Sequence, residues 1–136
     1  MKCFIVFMLA NAMYFGLNEA CRLNHMVIEN DLGRDGPLQF HCRGWNGQDS
    51  KVQTLNNNGA KYSLEIIDVT NYRERTKWNC MLRFGPAKEF FYDIEVYRAA
   101  ANPRCGQLRH WVARKDGIYF RKSVDMPLGR VLSWKK

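Results

Sequence analysis

Residues 77–97, KWNCMLRFGPAKEFFYDIEVY, contain two runs in which apolar and polar side chains alternate, with Gly85-Pro86 between them. A period of two is typical of a β-strand that buries one face, and a Gly-Pro pair favours a turn. The stretch therefore predicts a β-hairpin. The apolar residues of its core-facing side are Trp78, Cys80 and Leu82 in the first run, and Phe90, Tyr92, Ile94 and Val96 in the second.

Further short runs of the same kind lie on both sides of this hairpin, and turn-rich segments separate them. The chain of 136 residues suits one domain, and no stretch of ten residues favours a helix. Many short strands with turns between them predict an all-β fold, a small antiparallel β-sandwich of about eight strands. The other predicted strands lie within residues 25–30, 38–43, 51–55, 62–66, 110–113 and 118–120.

The tail from Ser123 to Lys136 carries four large apolar residues, Leu128, Val131, Leu132 and Trp134. Two interpretations stay open for it. It is either an extra strand packed on the edge of the sandwich or a loose basic tail.

The first 20 residues have the order of a secretory signal peptide: a positive start, an apolar run and a small-residue exit. Met1-Lys2 is the positive end, residues 3–10 are apolar, and Ala20 is the predicted cleavage position. Residues 10–12 are a second candidate for cleavage, and a buried N-terminal helix or strand is the alternative to a signal. We therefore expect a secreted protein whose single β-sandwich domain, with its basic tail, spans residues 21–136.

Export changes the meaning of the cysteines, because disulfides form in oxidising compartments. Cys3 leaves with the signal, and the mature chain keeps Cys21, Cys42, Cys80 and Cys105. Four cysteines predict two disulfides with three possible pairings, and their spacing does not choose among them. No Cys-x-x-Cys pair occurs, so the sequence predicts neither a metal site nor a cofactor.

Several short motifs occur in a telling order along the mature chain. They are Val27-x-x-Asn30-Asp31-Leu32, Leu38-x-x-His41-Cys42, Trp78-Asn79-Cys80, Arg104-Cys105 and Asp116-Gly117-Ile118-Tyr119. In this order and spacing, over roughly Met26 to Phe120, the chain resembles the plant self-incompatibility S-protein family, the S-protein homologues. The resemblance implies a small secreted β-sandwich with disulfides, without a catalytic site, that acts in cell–cell recognition.

The chain departs from the family pattern at its cysteines. The family usually has a second cysteine shortly after the Arg-Cys pair, whereas residues 106–111 contain none. Cys21 is present instead near the mature N-terminus. The family's usual disulfide pairing therefore does not transfer directly to this chain.

The positive charge is concentrated near the C-terminus. The net charge is +8; residues 21–97 carry ten basic and ten acidic side chains, and residues 98–136 carry ten and two. This excess is either a solvated surface or a patch that binds an anionic cell wall, a membrane surface or an acidic receptor face. Nucleic acid fits the charge but not an extracellular compartment. The candidate patch is Arg109, Arg114, Lys115, Arg121 and Lys122.

The sequence favours a non-enzymatic recognition protein that is a ligand for a cell-surface receptor. One alternative is a secreted ribonuclease-like enzyme, which needs an acid–base pair such as two of His25, His41 and His110. The other is a defence-type protein that binds polyanions. Loops carry recognition on a rigid sandwich. The candidate loops are residues 44–50, 56–60, 68–77 and 98–106.

Overall fold

The computed structural model describes residues 23–69, 74–102 and 104–136. The predicted signal peptide and Cys21 therefore lie outside the described residues. The described chain forms nine strands and one short 3-10 helix, Gly33–Asp35. The strands are β1 Asn24–Asp31, β2 Leu38–Gly44, β3 Asp49–Leu55, β4 Lys61–Ile66, β5 Lys77–Phe84, β6 Phe90–Arg98, β7 Leu108–Arg114, β8 Gly117–Arg121 and β9 Gly129–Leu132.

The strands form two sheets that pack face to face. One sheet has the order β4-β1-β7-β8-β9 and the other the order β3-β2-β5-β6. The prediction of a β-sandwich is confirmed. Neighbouring strands are antiparallel except β1 and β7, which run parallel from the pair His25 and Leu108 to the pair Asp31 and Arg114. The pair is parallel because β6 finishes at the end of the sandwich where β1 begins, so that β7 begins there too.

The predicted hairpin of residues 77–97 is β5 and β6, which pair from Phe84 and Phe90 at the turn outward. Its alternation places Trp78, Cys80 and Leu82 in the core, as the sequence indicates. A bulge lies where the register shifts between Trp78 and Asn79. As a consequence both Val96 and Tyr97 are buried, although they are neighbours in sequence.

The C-terminal tail is an ordered part of the sandwich. Residues Gly129–Leu132 form β9 on the edge of the five-stranded sheet, and Lys135 then pairs with Phe91 of the other sheet. Between them, Trp134 donates from its indole Nε1 to the Arg114 carbonyl at 2.7 Å. The tail thus joins the two sheets along one side, and of the two interpretations the extra strand is the one observed.

One glycine allows β9 to approach β8. A Cβ atom at Gly117 would lie only 2.7 Å from the carbonyl oxygen of Leu132. Any side chain there would push β9 away from β8.

In the part of the chain that the structure describes, no helix has the length and apolar character needed to cross a bilayer.

Candidate functional site

The connections between strands gather at the two ends of the sandwich. Three of the four candidate loops lie at the same end in their described residues, 44–50, 68–69 with 74–77, and 98–102 with 104–106, because β2, β4 and β6 finish there while β5 and β7 begin there. We call this end the loop face. Residues 56–60 lie at the opposite end, beside the end of β1, where the Gly59 N–H donates to the Asn30 carbonyl at 2.6 Å. The sandwich therefore groups segments that are far apart in sequence.

The buried carboxylate of Asp68 holds the base of the loop face together through three hydrogen bonds. Asp68 accepts hydrogen bonds from Asn24 Nδ2 at 3.1 Å, from the Arg104 backbone N–H at 3.0 Å and from the Tyr97 hydroxyl. Burial, and then the hydrogen bond to Asp68, raises the pKa of Tyr97 and keeps its proton in place. We call Asn24, Asp68, Tyr97 and Arg104 the polar hub. It ties two loops to β1 and β6.

Asn24 extends this network to the start of β7. Its side chain donates to the Arg104 carbonyl at 2.9 Å and accepts from the Gln107 backbone N–H at 2.8 Å. The sequence alone does not predict the hub. Its hydrogen-bonded pairs are 29 to 80 positions apart, and only the fold brings them together. No local motif marks them.

The loop after β4 is held at both of its described ends. Thr76 Oγ1 accepts from the Val69 backbone N–H at 2.7 Å and donates to the Ile67 carbonyl at 3.2 Å. The Ala99 N–H donates to the Thr76 carbonyl at 2.8 Å, which joins this loop to the end of β6. Such hydrogen bonds limit the motion of these two loop ends before the protein meets a partner.

Apolar side chains are exposed on this fixed face. Ile67 is 69% exposed and Val69 is 43% exposed. They border a cavity of about 340 Å³ that Trp45, Leu64 and Trp78 also line. Large apolar side chains exposed together on a small protein mark interaction sites. The loop face can therefore bury apolar area against a partner.

The five candidate cations of the predicted patch do not share one surface. His110 pairs with Arg121 across the β7–β8 hairpin, and side chains alternate along a strand, so Arg109 points away from the face that carries Arg121. Arg109 instead lies over the Tyr97 ring, 5.8 Å from its centroid, and burial lowers its pKa.

Arg114 shares the outer face of the five-stranded sheet with Arg121, because it lies four positions after His110, which pairs with Arg121; the other two patch residues lie elsewhere. Arg114 pairs with Asp31 at 2.8 Å on the outer face of the five-stranded sheet. Lys115 lies at the end of the sandwich opposite the loop face, 3.5 Å from Asp35. Lys122 is exposed just after β8. The excess charge is spread over several surfaces.

The sequence of the chain matches a known protein family. Residues 25–134 match the protein family described as Plant self-incompatibility protein S1. The chain belongs to this family. Two relatives from Arabidopsis thaliana are similar over nearly their whole length: S-protein homolog 30 is 46% identical over 95% of this chain and 100% of its own, and S-protein homolog 25 is 46% identical over 90% of each.

A solved structure agrees with the fold. It is described as "Structure of SPH (Self-Incompatibility Protein Homologue) proteins, a widespread family of small, highly stable, secreted proteins from plants". It shares 34% identity with this chain at a TM-score of 0.66, over 85% of this chain and 97% of its own. The resemblance predicted from the sequence motifs is confirmed: this chain is an S-protein homologue, of a secreted plant family.

The cysteines of this S-protein homologue are partly placed by the structure. Cys42 and Cys80 form a disulfide between β2 and β5, where they are directly opposed and fully buried. Cys105 is also disulfide-bonded, and its partner is not among the described residues. Of the three pairings left open by the sequence, the structure contains the one that joins Cys42 to Cys80.

The three histidines that could supply the acid–base pair of a ribonuclease-like enzyme have separate partners. His41 lies in the four-stranded sheet, with Nε2 at 2.6 Å from Asp49 Oδ1. His25 and His110 lie in the other sheet, and His25 is 3.8 Å from Glu65. Within residues 23–69, 74–102 and 104–136, no group of three His, Cys, Asp or Glu side chains could hold a metal ion.

His110 has both ring nitrogens engaged. Arg121 Nε lies 2.9 Å from His110 Nδ1, and a guanidinium can only donate, so Nδ1 accepts and the ring proton is on Nε2. That proton faces Glu29 Oε1 at 2.9 Å. Burial lowers the pKa of His110, although the hydrogen bond to Glu29 acts in the opposite direction. The folded protein thus holds this histidine neutral.

We expect His110 to make stability depend on pH. Its pKa is lower in the folded state than the unfolded value of about 6.5. The unfolded chain therefore takes up a proton on His110 at a higher pH than the folded protein does. The contribution of neutral His110 to the free energy of unfolding is present in full above about pH 6.5, and it is lost as the pH falls through the folded pKa. Urea unfolding from pH 8 to pH 5 should show this loss in the parent. The loss should be smaller in His110→Gln, and equal slopes in the two proteins would contradict this expectation.

Proposed function

We propose that this S-protein homologue is a non-enzymatic recognition protein that binds a protein receptor on the plant cell surface through its loop face. The observation that carries the proposal is that apolar side chains are exposed on loops whose ends hydrogen bonds hold in place. The polar hub and Thr76 hold the loops, and Ile67 and Val69 remain exposed above them. A face that is ordered before binding loses less conformational entropy when it meets its partner.

The environment of the histidines supports a role without catalysis. Acid–base cleavage of RNA needs two groups that can exchange protons with the substrate. His110 gives one nitrogen to Arg121 and the other to Glu29. His41 lies in the other sheet. We therefore do not propose these histidines as the acid–base pair of a ribonuclease.

The processing of the chain belongs to the same proposal. Cleavage after Ala20 would leave Cys21 at the start of the mature protein, two residues before the first described residue. β1 begins at the loop face, where the loop containing Cys105 also lies. We propose that Cys21 is the disulfide partner of Cys105, so that this bond fastens the N-terminus to the loop face.

Contact with an anionic cell wall or membrane is the second candidate. The observation that favours it is the net charge of +8, all of which lies within residues 98–136. Because the structure spreads these cations over several surfaces, such contact would be weak and general rather than specific. It would also be strongly reduced by salt, which screens exposed charges beyond about 8 Å at physiological strength.

Binding of labelled mature protein to intact plant cells distinguishes the two candidates. A protein receptor predicts saturable binding that is lost after brief protease treatment of the cells and that persists at about 0.5 M salt. Binding that survives protease, and disappears with salt or after enzymatic removal of acidic wall polysaccharide, would overturn the proposal in favour of the polyanion.

A further inference from the structure

A second cleft lies at the opposite end of the sandwich from the loop face. It has a volume of about 420 Å³ and lies between the connection that precedes β2, the turn of the β5–β6 hairpin and the turn of the β7–β8 hairpin. This volume is within the range of sites that hold a small ligand or one side chain with its flanking backbone. Nothing in the proposed function uses this cleft.

The floor of the cleft is apolar and closely packed. Phe84 is buried and stacks on Phe90 with ring centroids 4.8 Å apart and planes 17° apart. Trp134 and Phe84 contact each other edge to face at a centroid distance of 4.7 Å, and the Trp134 indole N–H donates to the Arg114 carbonyl. Pro37 and Pro86 complete the lining. The floor can bury an apolar side chain without rearranging.

The rim of the cleft is cationic. Arg34 and Lys88 line it and form no ion pair with the described part of the chain. Lys115 lines it too and is 78% exposed, with only a 3.5 Å contact to Asp35. The Lys136 ammonium lies over the Phe90 ring, 5.3 Å from its centroid. Four cations therefore surround an apolar floor.

Among the described residues, the lining of the cleft contains one acidic side chain, Asp35, beside three cationic ones. Asp35 faces Lys115. Glu89 is directed back to its own turn, where Oε2 accepts from the Ala87 backbone N–H at 2.9 Å. Asp116 accepts from the Tyr119 hydroxyl at 2.6 Å. A positive potential over an apolar floor favours a ligand that combines negative charge with an apolar group.

We propose that this cleft binds an acidic peptide segment of a partner protein that inserts one aromatic or large aliphatic side chain. The observations favour a peptide over an acidic sugar. Sugars bind aromatic rings through the ring faces, whereas Phe90 has Phe84 stacked on one face and Lys136 lying over the ring. The cleft thus offers ring edges and proline rings to a side chain, with carboxylates of the same peptide meeting Arg34, Lys88 and Lys115.

The test uses mature protein and the synthetic peptide Glu-Asp-Phe-Asp-Glu with blocked ends. Binding is measured by titration calorimetry and by the indole N–H signals in NMR spectra. The four tryptophans give separate reporters, and the signal of Trp134 should shift while that of Trp45, at the loop face, stays in place. Replacing the peptide's phenylalanine by alanine, or its acids by their amides, should abolish the shift.

A matched pair of variants separates the cleft from general charge. The cleft variant is Arg34→Gln, Lys88→Gln, Lys115→Gln; the control variant is Arg83→Gln, Arg98→Gln, Lys122→Gln, which removes the same charge elsewhere. If each exposed charge contributes about twofold, the cleft variant should bind about tenfold more weakly and the control within about twofold of the parent. Equal weakening in both variants, a shift of Trp45 instead of Trp134, or tighter binding of an oligouronate at Trp134 would overturn the proposal. Because the probe is a peptide in solution, these outcomes do not depend on cell-surface binding by the loop face.

Discussion

Removing the Cys42–Cys80 disulfide, by Cys42→Ala together with Cys80→Ala, should lower the free energy of unfolding by about 4 kcal/mol. The bond closes a segment with a sequence separation of 38 residues, and the chain-entropy estimate for a loop of that length is of this size. It also joins the two central strands of the four-stranded sheet, where both cysteines are fully buried. A loss of this size is a large part of the roughly 5–15 kcal/mol that stabilises an ordinary domain.

The neighbouring pair on the same two strands is the control. Arg43 and Asn79 are directly opposed, one position further along, and Arg43 is exposed with an ion pair to Asp93 at 3.0 Å. Arg43→Ala with Asn79→Ala should cost less than about 1 kcal/mol. Guanidinium unfolding of both double variants measures the difference, and equal losses in the two would contradict the assignment of the stability to the disulfide.

Asp68→Ala should cost about 2–4 kcal/mol and should loosen the loop face. The substitution removes one acceptor from three donors at once: the Tyr97 hydroxyl, the Asn24 amide and the Arg104 backbone N–H. Each buried donor left without a partner costs about 1–3 kcal/mol, and entry of water lowers the sum. Asp68→Asn keeps one oxygen acceptor and should lose less.

Hydrogen exchange shows whether the effect is at the loop face. In Asp68→Ala the backbone amides of Arg104 and Gln107 should lose protection, because one donates to Asp68 and the other to Asn24. The control is Asp93→Ala, which removes an exposed carboxylate that pairs with Arg43. Unchanged protection in Asp68→Ala, or the same unfolding free energy for both variants, would contradict the role given to the hub.

Most of the fold could be predicted because alternation is a local signal. The runs in residues 77–97 and the turn before Gly117 are visible in the sequence, and they are β5, β6 and the β7–β8 hairpin of the structure. The parallel pairing of β1 with β7 could not be predicted, since it joins residues about 83 positions apart. The same holds for the Cys42–Cys80 bond, which depends on β2 lying beside β5.

The candidate site was predictable only in outline. Turn residues identified the loops, but which loops share one end follows from the order of strands in the sheets. The basic patch shows the limit of counting charge along the chain: Arg109 and Arg121 are in neighbouring strands, yet the register puts His110, not Arg109, beside Arg121. The polar hub depends on contacts across 29 to 80 positions, and no sequence pattern announces it.

Photo-crosslinking on intact plant cells tests the central claim most directly. A photoreactive residue replaces Gln48, which is exposed at the loop face, or Asn57, which is exposed at the opposite end. We expect the probe at position 48 to capture one cell-surface protein, in competition with unlabelled mature protein, and the probe at position 57 to capture little of it. Equal capture of that protein from both positions, or crosslinking only to wall polysaccharide or lipid, would contradict recognition of a protein receptor by the loop face.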